Sequence, residues 1–165
     1  MVPFTTADAL AHGYGRGALR GRSVRRTLRG VYIPGWADDS LLTRVEAARQ
    51  VLPVDVQPDG VTALHLLGVE VGAEQPLRFV TAHPHQVRRL GVRVRRSTEE
   101  AVGHAGQAEA AFVAAARELD LVDLVAAGDW LVRLEATTVE RLVRAAASAR
   151  GHGWARARRA AALVR

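Results

Sequence analysis

Charge in this chain alternates in long blocks, and that pattern limits how the surfaces of any fold can be arranged. Residues 1–35 carry six arginines against one acid, and residues 36–77 carry two against seven acids. Residues 78–98 carry six arginines and no acid, residues 99–140 two against nine acids, and residues 141–165 seven and no acid. Over 165 residues the formal net charge is only +6, so the whole is mildly basic while its parts are not. Blocks of this size predict surfaces of opposite sign. Basic surfaces attract polyanions, and an acidic one can neutralise a basic neighbour inside the fold.

All 23 basic residues are arginine. The lack of lysine excludes a Walker-A phosphate loop, Schiff-base chemistry and the acid-plus-lysine cluster of restriction-type nucleases. A GC-rich coding sequence accounts for the bias, and the exclusions hold whatever its cause. The lack of cysteine excludes a disulfide framework, a thiol nucleophile and a zinc finger. Hydrophobic residues make up 48% and aromatics 5%, so Leu, Val and Ala must fill the core. One domain or two small ones fit this length. There is no apolar run of about 18 residues, and the N-terminus has no basic start followed by an apolar stretch. No membrane association or signal peptide is expected, and the cytoplasm is the expected compartment.

Local signals place the elements. Phe4 followed by Thr5 and Asp8 reads as a staple and capping box opening a short helix that ends near His12-Gly13. A second short helix is expected from Gly15 to Arg20, with Leu19 inward, although each glycine costs about 1 kcal/mol against alanine. Val24 to Leu28 and Val31 to Ile33 read as strands joined at Arg29-Gly30, and Pro34-Gly35 closes the unit. Ser40 caps a helix through Leu52, Pro53 to Pro58 is a break, and Val61 to Leu67 is a helix closed by Gly68. Leu77 to Ala82 and Gly91 to Arg96 are strands, the second alternating apolar and basic residues. Helices follow over Gln107 to Leu119, along the stripe Leu121, Leu124, Val125, Gly128, Leu131 and Val132, and after a capping box at Thr137 and Glu140. Gly151-His152-Gly153 precedes a final helix from Trp154 to Val164.

The first 35 residues carry the clearest functional pattern. Helix, glycine turn, helix and basic two-stranded ribbon is the order of a winged helix-turn-helix. Arg16 and Arg20, four residues apart, would share a face of the second helix and approach the groove with Arg22. Arg25, Arg26 and Arg29 on the ribbon would grip phosphates. Phosphate pairing supplies affinity in such a contact, and one or two arginines can read guanine edges. The alternative reading of the same residues is a small helical cap with solvated arginines.

This stretch, PFTTADALAHGYGRGALRGRSVRRTLRGVYIPG, resembles the N-terminal winged-helix module of AbiEi-type antitoxin proteins, with Arg29-Gly30-Val31-Tyr32 its most specific piece. The resemblance implies that the tetrad lies on the wing with Tyr32 packed against the module. Val61 to Val69, Leu77 to Thr81 and Gly91 to Arg95 match the order of that family's second domain. Glu118 to Val125, Gly128 to Arg133 and Arg158 to Leu163 are similar to actinobacterial proteins of the same kind. Those often continue into a domain resembling very-short-patch-repair endonucleases. The carboxylate cluster and lysine such a nuclease needs are not found here, so its activity does not carry over.

Elsewhere the patterns leave alternatives. His83-Pro84-His85 has two imidazoles but no third ligand near in sequence, so no metal site is expected. His65, on an apolar helix, reads as a satisfied, partly buried side chain. Arg88, Arg89, Arg93, Arg95 and Arg96 either extend a nucleic-acid surface or pair with the acidic block 99–140. Arg156, Arg158, Arg159 and Arg165 either touch phosphates or lie on a solvated linker helix. The four serines, Ser23, Ser40, Ser97 and Ser148, lack a nucleophile elbow. Asp38-Asp39 and Glu99-Glu100 fit helix starts, where acids oppose the dipole.

The sequence thus predicts an α+β protein with a winged helix-turn-helix over 1–35 and a mixed α+β domain over 36–165 that ends in helices. The expected function is DNA binding by an antitoxin-like transcriptional autoregulator, without catalytic residues or a cofactor. Double-stranded DNA is the expected partner, and a toxin or a separate nuclease domain the candidate protein partner. The alternative is the non-catalytic targeting region of a very-short-patch-repair-like endonuclease. A third reading makes the acidic block 99–140 a docking face for a basic partner.

Overall fold

A computed structural model describes residues 3–104 and 106–165, which form eight α-helices and two three-stranded sheets. The architecture is mixed α+β. Among the described residues no helix is long and apolar enough to cross a membrane.

Strand β1 (Phe4–Thr5) leads into α1 (Thr6–Ala11), and the expected capping box is formed. The Thr5 hydroxyl accepts from the Asp8 amide at 3.1 Å while the Thr5 amide donates to Asp8 Oδ2 at 2.7 Å. Strands β2 (Val24–Leu28) and β3 (Val31–Pro34) form an antiparallel hairpin with β1 on its far edge, in the order β1-β3-β2. Gly30 makes the turn at φ +82°, a conformation that a side chain would disfavour. A register shift between Arg26 and Leu28 bends β2, and Tyr32 stacks on Phe4 with centroids 6.1 Å apart.

The helix expected over Gly15 to Arg20 is a single 3₁₀ turn, Ala18–Arg20. Gly15 and Gly17 weaken helix nucleation in a segment too short to recover the cost by packing. Leu19 is half-buried, as its inward placement required.

Helix α2 (Leu41–Arg49) starts at Ser40, whose hydroxyl accepts from the Thr43 amide. It ends before the expected Leu52 because Pro53 disfavours helical backbone at the residue before it. Val45 and Ala48 of α2 join Val56, Leu77, Phe79 and Val92 in one core, and Leu28 of the hairpin packs on the same cluster. The hairpin is thereby seated on the middle of the molecule. Contacts cross the expected boundary at residue 35, since Arg25 donates to the Ala37 carbonyl and Thr27 to Asp39.

The second sheet combines β4 (Gln57–Pro58), β5 (Leu77–Thr81) and β6 (Val92–Arg96) in the order β4-β5-β6. Strand β6 runs parallel to β5, and β4 pairs antiparallel from inside the segment expected to be a break. All five residues of β5 are buried. Helix α3 (Gly60–Leu66) links β4 to this layer, and α4 (Glu99–His104) follows β6 with its paired glutamates in the first turn.

The C-terminal third is a helical cluster: α5 (Ala108–Ala115), α6 (Leu121–Arg133), α7 (Val139–Ser148) and α8 (Trp154–Ala161). Its core is mostly leucine and alanine, with Val164 and one large aromatic, Phe112. Small side chains let the helices come close. At Gly128 an added Cβ would collide with Val164 and lie 3.1 Å from Phe112. Helix α7 is capped by Thr138 rather than Thr137. Thr137 is buried, and its hydroxyl donates across the cluster to Glu109, which takes it out of the cap. Helix α8 is not a linker: Ala157, Ala160, Ala161 and Val164 are all in the core.

Candidate nucleic-acid interface

The hairpin and the chain leading into it hold the six arginines expected to meet DNA. Arg25 and Arg26 lie on β2, Arg29 lies at its turn, Arg20 closes the 3₁₀ turn, and Arg16 and Arg22 flank that turn. All six are exposed. Arg16 and Arg20 do not share a helix face, because Arg16 precedes the 3₁₀ turn.

No ion pair involves these six among the described residues. Among the described residues only Arg25 has a protein acceptor, the Ala37 carbonyl at 2.7 Å. The single acid of this region, Asp8, is occupied by the cap. Hydrogen bonds from the Thr5 amide and then its hydroxyl hold the Asp8 carboxyl below its ordinary value. Asp8 stays ionised, and the six arginines outnumber it by five charges. Beside it lies an apolar cleft of about 480 Å³ lined by Phe4, Ala9, Tyr14, Leu19 and Val24.

The fold divides the second basic block. Arg95 makes a bidentate pair with buried Asp59, through Nε at 2.9 Å and Nη2 at 3.1 Å. Arg78 gives Nε and Nη2 to Glu118 Oε2 and Nη1 to the carbonyls of Ala73 and Glu74. Arg93 lies 3.8 Å from the same Glu118 oxygen. Arg96 donates to the Pro84 carbonyl and Arg88 to Gln86. Arg89 reaches the other way, donating to the Arg29 carbonyl at 3.1 Å. The loop bearing Arg88 and Arg89 thus adjoins the hairpin turn. Sequence spacing gave no sign of this, because the two residues are 60 apart.

The last basic block stays on the surface: all seven of its arginines are exposed, and among the described residues Arg141 alone pairs with a carboxylate, Glu109. Arg156 donates to the carbonyls of Ala116 and Leu119 beyond the end of α5. Arg158 lies over the Trp154 ring at 4.4 Å and donates to the Ala147 carbonyl. The Arg165 amide donates to Asp129. Within the acidic block Glu109 pairs with Arg141, Glu118 pairs with Arg78, and Asp120 caps α6.

His83 and His85 sit edge to face, with rings 5.5 Å apart. No third histidine, cysteine or carboxylate joins them into a metal-sized group among the described residues. His65 is half-buried, with Nε2 at 2.9 Å from the Val71 carbonyl oxygen. The chain matches no protein-family model, no curated protein and no solved structure.

Proposed function

We propose that this protein binds double-stranded DNA through residues 1–35, as a winged-helix module, and acts as an antitoxin-like transcriptional autoregulator with a toxin as its protein partner. One observation carries the DNA reading. Six exposed arginines lie on one hairpin and its lead-in, and none has a carboxylate partner among the described residues. A hairpin is the element a wing lays along the phosphate backbone, and Arg88 and Arg89 continue the basic track from the Arg29 turn.

A three-residue turn stands where a recognition helix would enter the major groove. Phosphate contacts therefore carry most of the affinity, and base discrimination falls to the few arginines that reach an edge. Titration of a labelled duplex at several salt concentrations tests this reading. If about six phosphates are neutralised, log K falls against log salt with a slope near −5. Absence of binding at low salt, or binding insensitive to salt, overturns it.

A further inference from the structure

Between β6 and the end of α5, four arginines line one small cleft: Arg78, Arg93, Arg95 and Arg117. Two carboxylates, Asp59 and Glu118, line it with them, so the cleft carries two positive charges beyond those its own acids cancel. Both carboxylates already hold bidentate or doubled bonds to Arg95 and Arg78. Arg78 is nearly spent, with four of its five N–H groups on Glu118 and the carbonyls of Ala73 and Glu74.

Three guanidiniums keep donors in reserve. Nη1 of Arg117 is buried and has no acceptor. A buried donor without a partner costs free energy, and a charged one more than a neutral one. Desolvation, then the neighbouring charge of Arg95, pushes the Arg117 guanidinium below its ordinary value, while Asp59 pulls it up. Arg95 uses Nε and Nη2 on Asp59 and leaves Nη1 over. Arg93 reaches only to 3.8 Å from Glu118 and is two-thirds exposed. Beyond the end of α5, Arg156 donates to the carbonyls of Ala116 and Leu119.

We propose that Arg93, Arg95 and Arg117 form a binding site for one doubly charged tetrahedral oxyanion, either free phosphate or the terminal phosphate of a nucleic-acid strand. Size supports the ligand class. The cleft measures about 150 Å³, well under the roughly 300 Å³ at which sites for drug-sized molecules begin. Arginine forks match the geometry of phosphate oxygens and bind them bidentately. The site is separate from the N-terminal hairpin and does not rest on the DNA reading.

The test is thermal melting and calorimetric titration with inorganic phosphate, against chloride at equal ionic strength. Phosphate is expected to raise the melting temperature where chloride does not. Arg117→Gln and Arg93→Gln are each expected to weaken phosphate about 10- to 100-fold, the loss of one charge-assisted contact. Arg93 is exposed enough that its variant tests binding even if the Arg117 variant folds poorly. In phosphate-free buffer Arg117→Gln should melt no lower than the wild type, which separates a ligand-binding arginine from a structural one. A second arm compares duplexes with 5′-phosphate and 5′-hydroxyl ends. A preference for the phosphorylated end that Arg93→Gln abolishes identifies a strand terminus as the source, and equal affinities with an intact phosphate response identify the free ion. Equal effects of phosphate and chloride, or wild-type phosphate affinity in both variants, overturn the proposal.

Discussion

Residues 1–35 and residues 78–98 each carry six arginines, yet the fold uses them in opposite ways. In the second stretch every arginine has a protein partner. Arg78, Arg93 and Arg95 face carboxylates, and Arg88, Arg89 and Arg96 donate to a side-chain or backbone oxygen. In the first stretch only Arg25 has an acceptor among the described residues. The difference lies in what covers each region. Strand β6 lies in parallel register with fully buried β5 and within reach of Asp59 and Glu118. The hairpin is backed by α2, whose flanking acids are already engaged, Asp39 by Thr27 and Glu74 by Arg44. Among the described residues, equal basicity in sequence thus becomes bracing by Arg78 and Arg95 against Glu118 and Asp59 in one place and mostly exposed guanidiniums without carboxylates in the other, with Arg88 and Arg89 joining the latter at the Arg29 turn.

The strongest way to break this contrast is to remove a bracing arginine. Arg78→Ala strands Glu118 and two carbonyls in a half-buried setting, and is expected to cost about 3 kcal/mol in urea unfolding. A change under about 0.5 kcal/mol, the usual range for surface substitutions, would place Arg78 with the free arginines instead. Asp59→Asn removes one charged hydrogen-bond set from Arg95 and is expected to cost about 2 kcal/mol. The same variant should bind phosphate more tightly, because the cleft gains a net positive charge.

The N-terminal arginines should answer oppositely. Arg22→Ala and Arg26→Ala are expected to leave unfolding free energy within about 0.5 kcal/mol of wild type. Each should weaken duplex binding severalfold and make the log–log salt slope shallower by about 0.9. Unchanged DNA affinity in the double variant would remove the hairpin from the interface.

Acid titration gives the smallest effect, and it compares Asp8 of the first region with Asp55, which is bonded to Thr81 and Ala82 of the second. Asp55 accepts from the Thr81 hydroxyl and the Ala82 amide, and those bonds, the hydroxyl's first, hold its carboxyl below the ordinary value despite partial desolvation. Asp8 is lowered by the Thr5 amide and hydroxyl. A carboxylate lowered in the fold stabilises it above the unfolded value. That contribution disappears as pH falls through the folded one, so the losses fall below about pH 4. Asp55→Asn and Asp8→Asn should each flatten the acid limb of a stability–pH curve, and an unaltered limb would show that these hydrogen bonds contribute nothing.

Much of the local structure was legible because its causes are local. The caps at Thr5 and Ser40 join groups three residues apart, and both form as the spacing requires. Strands β2, β3, β5 and β6 follow from short apolar or alternating runs. The failures share another cause. The second helix shrank to a 3₁₀ turn because helix-weakening glycines had no packed face to offset them. Thr137 lost its capping role to Thr138 because Glu109, 28 residues away, claims its hydroxyl. Strand β4 formed in the expected break because the edge of β5 offered it backbone partners. The cleft lined by Arg78, Arg93, Arg95 and Arg117 left no trace in sequence, since its ion pairs join residues 36 and 40 apart.

By itself the sequence determined where charge is concentrated, where the caps at Thr5 and Ser40 begin their helices, and that small aliphatic side chains must fill the core. These follow from composition and from interactions spanning a few residues, which hold in any fold that preserves the local backbone. Only the tertiary structure decided which arginines keep their charge for a partner. That depends on which acid comes within about 4 Å of which guanidinium, the range where pairing takes effect. Strand register and helix packing set those distances, and no spacing along the chain encodes them.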